Sequence, residues 1–328
     1  MTGKIRVRTM LAIFFGLLSA ILWGAADFIS RKTSKSIGYY LTVGYMQLIG
    51  CIVSVAFAII YGEHLPILVP NFLLLNVVVG LLVLVSLVFL YRGLSQGTMS
   101  IVAPISGGMG PAVAVVLSVI ILGQVVVPID AYAIAGVIVG VILSGVKFSE
   151  LRSGLHTGAL PTLSDPKLCE SDPRGDACLD GMRGGLRVTK GLDSAIVSAV
   201  AAGAVYLGLG VLVPQSGWLF PIIIIRATGA SAAFGFIWLA KGELKIPNSR
   251  TLLWLILMGT MDLAGILAFS FGVLTAGGYL PLVVTFSGLS GLVILILARL
   301  FYQEKLDAVQ TAGIFLVIGA AMTLLYFQ

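Results

Sequence analysis

Charge is scarce in this chain. Only 10% of its 328 residues are Asp, Glu, Lys or Arg, against roughly 25% in an ordinary soluble domain. So few charges cannot solvate a globular surface, which excludes a soluble domain. Histidine occurs twice, as His64 and His156, too few for a His-based metal centre, and no metal site is expected. No G-x-x-x-x-G-K-[ST] loop is present, so the chain cannot hydrolyse ATP in that way and no cofactor is expected. Basic patches interleaved with aromatics are missing, so nucleic acid is not an expected partner.

What is abundant is apolar sequence: 59% hydrophobic residues and a mean hydropathy of +1.08. The runs are continuous rather than alternating, which selects an all-α membrane protein over a β-barrel. About ten helices of ~20 residues nearly exhaust the length. The expected spans are 10–30, 37–61, 70–94, 100–122, 129–148, 192–212, 218–240, 251–275, 279–301 and 308–327. The first follows a basic stretch, "MTGKIRVRTM", in the manner of a signal peptide. The repeat described next makes it the counterpart of span 6, which favours a retained helix.

Residues 149–190 form the long polar stretch, with six basic and six acidic residues and several Gly and Pro. They read as a linker between a first five-helix repeat at 1–148 and a second at 191–328. At an offset of 179, Ser19-Ala20 matches Ser198-Ala199, Gly24 matches Gly203, and Gln47 falls on Arg226. Gly50, Gly80 and Gly93 fall on Gly229, Gly259 and Gly272, while "IDAYAIAG" and "LDAVQTAG" align at 177. An odd number of spans per repeat inserts the second copy upside down. Inverted repeats recur in secondary transporters, with substrate near the midplane between them. The ends of spans 1, 3, 5, 7 and 9 carry sixteen of the twenty basic residues, so the positive-inside count leans toward both termini outside. The flanks of span 1 tie at three basic residues each and leave the orientation open.

"GLLSAILWGAADFISRK", "YRGLSQGTMSIVAPISGGMGPAVAVVLSVIILGQ" and "LFYQEKLDAVQTAGIFLVIG" resemble the EamA type of the drug/metabolite transporter superfamily. The resemblance covers nearly the whole chain outside the linker and includes Glu304, Gln310 and Gly313 at the last hairpin. It departs in having Gln124 where the family often shows Glu, about three extra residues before Gly136, and a longer linker with two cysteines. It implies a ten-helix secondary carrier of small metabolites with both termini in the cytoplasm, opposite to the charge count.

Asp262 lies mid-span in "MGTMDLAGILAFSFG", where an ionised Asp costs about 2.5–3.5 kcal/mol. Gly259 and Gly265 on its face point it toward protein or a cavity. Three roles are open: a proton carrier or substrate-amine partner, one half of a structural ion pair, and a carboxyl kept neutral by a neighbouring hydroxyl. Arg226 is the available partner for such a pair, with substrate contact as its other role; its mate Gln47 keeps polarity without charge. Asp27 and Arg31 stand at i,i+4, the spacing of a local interfacial ion pair, though Trp23 and Gly24 on the same face could line a cavity entrance.

Gly/Pro interruptions at corresponding places in two repeats point to a transporter site. Here they are Gly107, Gly108, Gly110 and Pro111 in span 4, and Pro281 and Gly288 in span 9; close helix packing is the competing reading. Ser106, Thr285 and Ser287 are the expected polar contacts, and Trp23, Tyr206 and Tyr279 the stacking surfaces. Gly136 and Gly140 suit helix packing. Cys169 and Cys178 in the linker could pair in an oxidising compartment, and Cys51 reads as core. A membrane aspartyl protease would need facing Asp residues, nominally Asp27 and Asp262, but Gly259-Thr260-Met261-Asp262 lacks that group's Gly-x-Gly-Asp.

The expected function is secondary transport of a small metabolite or drug-like solute by alternating access, with Asp262 as a candidate for proton coupling and no enzymatic activity. The competing class is a non-transporting receptor or scaffold with the same fold. Expected partners are the small-molecule substrate, protons and membrane lipid; a homodimer is compatible with the sequence. The expected location is the plasma membrane, as a multi-pass protein.

Overall fold

The computed structural model describes residues 2–61, 70–97, 99–144, 191–277, 279–302 and 308–326. The linker at 149–190 with Cys169 and Cys178, and Glu304 at the last hairpin, lie outside the described residues. The described secondary structure is all helical: α1 Thr2–Ile37, α2 Tyr39–Tyr61, α3 Pro70–Gln96, α4 Met99–Leu122, α5 Pro128–Ser144, α6 Leu192–Ser216, α7 Phe220–Leu239, α8 Ser249–Thr275, α9 Leu280–Ser287, α10 Ser290–Tyr302 and α11 Ala308–Tyr326.

Local chemistry sets several of these boundaries. Gly38, at φ +91°, lets the chain reverse between α1 and α2, a conformation that side chains resist. Asn248 caps α8 by accepting a hydrogen bond from the Thr251 amide at 2.8 Å, satisfying one of the helix's orphan donors. Pro221 and Pro281 sit in the first turns of α7 and α9, where a missing N–H costs nothing.

Among the described residues, eight helical segments are long and apolar enough to cross a membrane, α9 and α10 counting as one segment, Leu280–Tyr302. Ala131–Ser144 and Ala308–Val317 are shorter apolar helices. The outer surface is apolar, with Ile59, Ile60, Ile120, Leu253, Leu300 and Phe315 all well exposed. Apolar cover of this extent is unfavourable in water and natural in lipid. The chain is a multi-pass integral membrane protein.

Inside the bundle, glycines bring helices close, and their contacts recur at the sequence offset. A Cβ at Gly80 would lie 2.9 Å from the Ile225 carbonyl and 2.8 Å from Thr228 Cβ, while one at Gly259 would lie 3.1 Å from both the Met46 carbonyl and Ile49 Cγ2. Adding 179 to 46, 49 and 80 gives 225, 228 and 259. Likewise Gly93 faces Gly191 and Ser194, and Gly272 faces Ala12 and Phe15. On α5 and α11, Gly140 and Gly313 face each other's carbonyls. The positions expected to pack helices do so.

The expected interruption of span 4 is absent. α4 stays helical through Gly107, Gly108, Gly110 and Pro111. Proline in a helix forfeits one hydrogen bond and crowds a carbonyl, but the small residues around it let neighbours pack where a break was expected. Gly107 meets the backbone of Gly291 in α10, Gly108 meets Val141 and Ile142 in α5, and Gly110 faces Ala199 and Ala202 in α6. In span 9 the helix does break, between α9 and α10, at Gly288 and Leu289. There the ladder tightens to a Leu289 N–H donating to the Phe286 carbonyl at 3.2 Å. Pro281 starts α9 rather than interrupting it. Gly288 packs on Pro111, so this region is the crossing of α4 with α9–α10.

Candidate functional site

A cavity of about 120 Å³ lies in the bundle, with walls drawn from α1, α2, α3, α4, α6, α7, α8 and α10. It is mostly apolar, with a few convergent polar groups, as small-molecule sites usually are. Of the residues singled out in the sequence, Trp23, Asp27, Gln47, Ser106, Gly107, Tyr206, Arg226 and Asp262 line it.

Its most ordered feature is a three-residue cluster. The Arg226 Nη2 donates to Asp262 Oδ2 at 2.6 Å, and Nη1 donates to Gln47 Oε1 at 2.8 Å. Arg226 is only 2% exposed. A buried guanidinium requires such acceptors, because an unpaired charge at this depth is costly. Glycines make the space. A Cβ at Gly50 would lie 2.5 Å from Arg226 Nη1, and one at Gly229 would lie 2.8 Å from Gln47 Nε2. Gln47 and Arg226 are thus each seated on the glycine three residues beyond the other, and these four residues form two pairs at the 179 offset.

Trp23 is fixed against α8, the helix that carries Asp262. Its indole N–H donates to the Asp262 carbonyl at 3.3 Å, and the ring edge occupies the space left by Gly265, where a Cβ would come within 2.6 Å of it. Its ring lies 5.9 Å from Tyr206 and 5.7 Å from Phe269; the Tyr206 and Phe269 rings are 5.3 Å apart.

Asp27 differs from expectation. No Asp27–Arg31 ion pair forms among the described residues; the Arg31 guanidinium lies 5.2 Å from the centre of the Tyr302 ring instead. Asp27 is 8% exposed and faces the cavity. The spacing that permits a pair along one helix equally permits Asp27 and Trp23 to share an inward face, and packing chooses the second.

Three expected contacts lie elsewhere. Thr285 Oγ1 donates to the Pro281 carbonyl at 2.7 Å, Ser287 Oγ is 2.7 Å from Ser19 Oγ, and Tyr279 precedes α9 against the main apolar core. None of the three lines the cavity. Ser86, Ser198 and Ser290 do and went unselected. Ser198 was visible as the repeat mate of Ser19, while single serines at 86 and 290 carry no signal in an apolar helix. Ser86 Oγ donates to the Ser198 carbonyl at 3.1 Å, and Ser106 Oγ to the Ala195 carbonyl at 3.3 Å, which ties α3 and α4 to α6.

Comparison with known proteins gives three findings. The sequence model described as the EamA-like transporter family matches residues 10–146. An uncharacterized protein of Methanocaldococcus jannaschii is 27% identical over 134 residues, which is 40% of this chain and 94% of that protein. A solved crystal structure is similar in fold, with a TM-score of 0.65 at 14% identity over 95% of each chain. Residues 10–146 are thus similar to the EamA-like transporter family, within the stretch that the sequence resemblance covers.

Proposed function

We propose that this protein is a secondary transporter of the plasma membrane that moves a small metabolite or drug-like solute by alternating access through the cavity. In this reading the chain has ten spans, α9 and α10 forming one of them, arranged as two inverted five-helix repeats at 1–148 and 191–328. The contacts recurring at the 179 offset support the repeat. So does a relative matched over 94% of its length by about one repeat of this chain. The observation that carries the reading is a mostly apolar cavity lined from both repeats, with two aspartates and an arginine facing it. Groups of that kind are retained at membrane depth mainly for function.

Of the roles open to Asp262, its short bond to Arg226 supports the structural ion pair. A carboxylate shared with a guanidinium accepts a proton only when the arginine withdraws, so coupling through Asp262 requires a transport state in which the pair is broken. Reconstitution in liposomes separates the possibilities. With Asp262→Asn, loss of concentrative uptake with retained solute exchange assigns coupling to Asp262; unchanged concentrative uptake refutes that assignment. Solute binding without any flux in the native protein would instead identify a receptor that keeps the fold.

A further inference from the structure

The acids and bases facing the cavity are unequal in number. Asp27 and Asp262 supply two carboxyl groups and Arg226 one guanidinium, and Arg226 is already committed to Asp262 and Gln47. No cation partners Asp27 among the described residues. An ionised carboxylate without a counter-charge is costly to bury, so a cation entering the cavity is the partner that lets Asp27 carry its charge there.

The surroundings specify the kind of cation. Trp23, one turn before Asp27 on α1, lines the cavity beside Tyr206. Tyr91, fully buried with its hydroxyl 3.1 Å from Met46 Sδ, and Tyr206 both interact electrostatically with the Asp27 carboxylate. Ring faces attract ammonium groups through their quadrupole, most strongly for Trp and when desolvated. A hydrated metal ion gains little from ring faces. A carboxyl group sharing a wall with aromatic rings, with Val83, Leu87 and Ile294 among the other lining residues, suits an ammonium carried on a short apolar body.

Building on the transporter reading, we propose that Asp27, Trp23 and Tyr206 form a subsite for the ammonium group of a small organic amine. Asp27 neutralises the charge, the rings hold the C–H groups beside the nitrogen, and the Arg226–Asp262 pair stays intact as a fixed wall.

The test uses full-length protein in detergent with n-butylammonium chloride as probe, and n-butanol, sodium butyrate and sodium chloride as controls. Butylammonium should raise the melting temperature and protect Asp27 from a hydrophobic carbodiimide, read by mass spectrometry on the native chain. The three controls should do neither. Asp27→Asn should weaken butylammonium binding by about tenfold or more, and Asp27→Glu should retain it. The carbodiimide readout on native protein keeps the test decisive if Asp27→Asn fails to fold. Equal stabilisation by butanol, or by the two sodium salts, overturns the amine assignment while leaving a solute-binding cavity and the transporter reading intact. Unprotected Asp27 with no stabilisation by butylammonium overturns it as well. Absence of flux in liposomes, by contrast, bears on transport and not on amine binding.

Discussion

Asp262 on α8 and Asp27 on α1 face the same cavity, are equally buried at 8% exposure, and differ in their surroundings. Asp262 meets a guanidinium at 2.6 Å, in a pocket shaped by Gly50 and Gly229. Asp27 meets aromatic rings and hydroxyls. Burial alone therefore does not assign a role to an intramembrane acid; the presence or absence of a buried counter-charge does. The paired acid joins α8 to α7 and, through Gln47, to α2. The other acid has no cationic partner among the described residues.

The largest effect expected from this contrast is at Arg226. Replacing it with Met strands Asp262 and should cost about 3–5 kcal/mol of stability. Adding Asp262→Leu should recover most of that loss, since removing both charges removes the penalty. Denaturant unfolding in mixed micelles measures both; a double variant no better than the single would mean that the pair does not dominate this region.

Next is Gly50→Ala, whose methyl would collide with Arg226 Nη1 and should cost about 1–3 kcal/mol. Gly229→Ala meets only the terminal amide of Gln47, a neutral group that can swing aside, and should cost less. The order of the two melting temperatures checks which mate is fixed by charge.

Asp27→Asn should change the stability of the unliganded protein by less than about 1 kcal/mol, because it leaves no charge stranded. A loss as large as that of Arg226→Met would reveal a hidden counter-charge at Asp27. Smallest of all is Gly235→Ala on α7, where nothing lies within 4 Å of an added Cβ. It should stabilise by about 0.5–1 kcal/mol through helix propensity, and serves as the baseline for glycine changes on the helix that carries Arg226.

Much of the fold was legible because lipid imposes a simple rule: every backbone group is satisfied within its own helix, so apolar length marks a span. The glycine register also translated directly into contacts, as at Gly80 and Gly259. What spacing could not decide was direction. Asp27–Arg31 and Trp23–Asp27 are both i,i+4 pairs, and only the packing of α1, chiefly against α8, selects between them. Gly and Pro in α4 carried the same ambiguity, since small residues serve a broken helix and a close crossing alike. At Gly107 and Gly291 the backbones meet, which is why the helix persists there. Thr285 and Ser287 were drawn into the expected site by polarity alone, but hydroxyls in lipid are readily satisfied by a carbonyl one turn back or by a neighbouring serine.

Alternating access through the cavity is tested most directly by sided labelling at Ser106, which lines it. In a variant with Ser106→Cys and the three native cysteines replaced, a membrane-impermeant thiol reagent should reach position 106 from one face in the resting protein. It should reach that position from the opposite face once a transported solute drives turnover. Labelling confined to a single face under both conditions, or from neither face, would contradict the account.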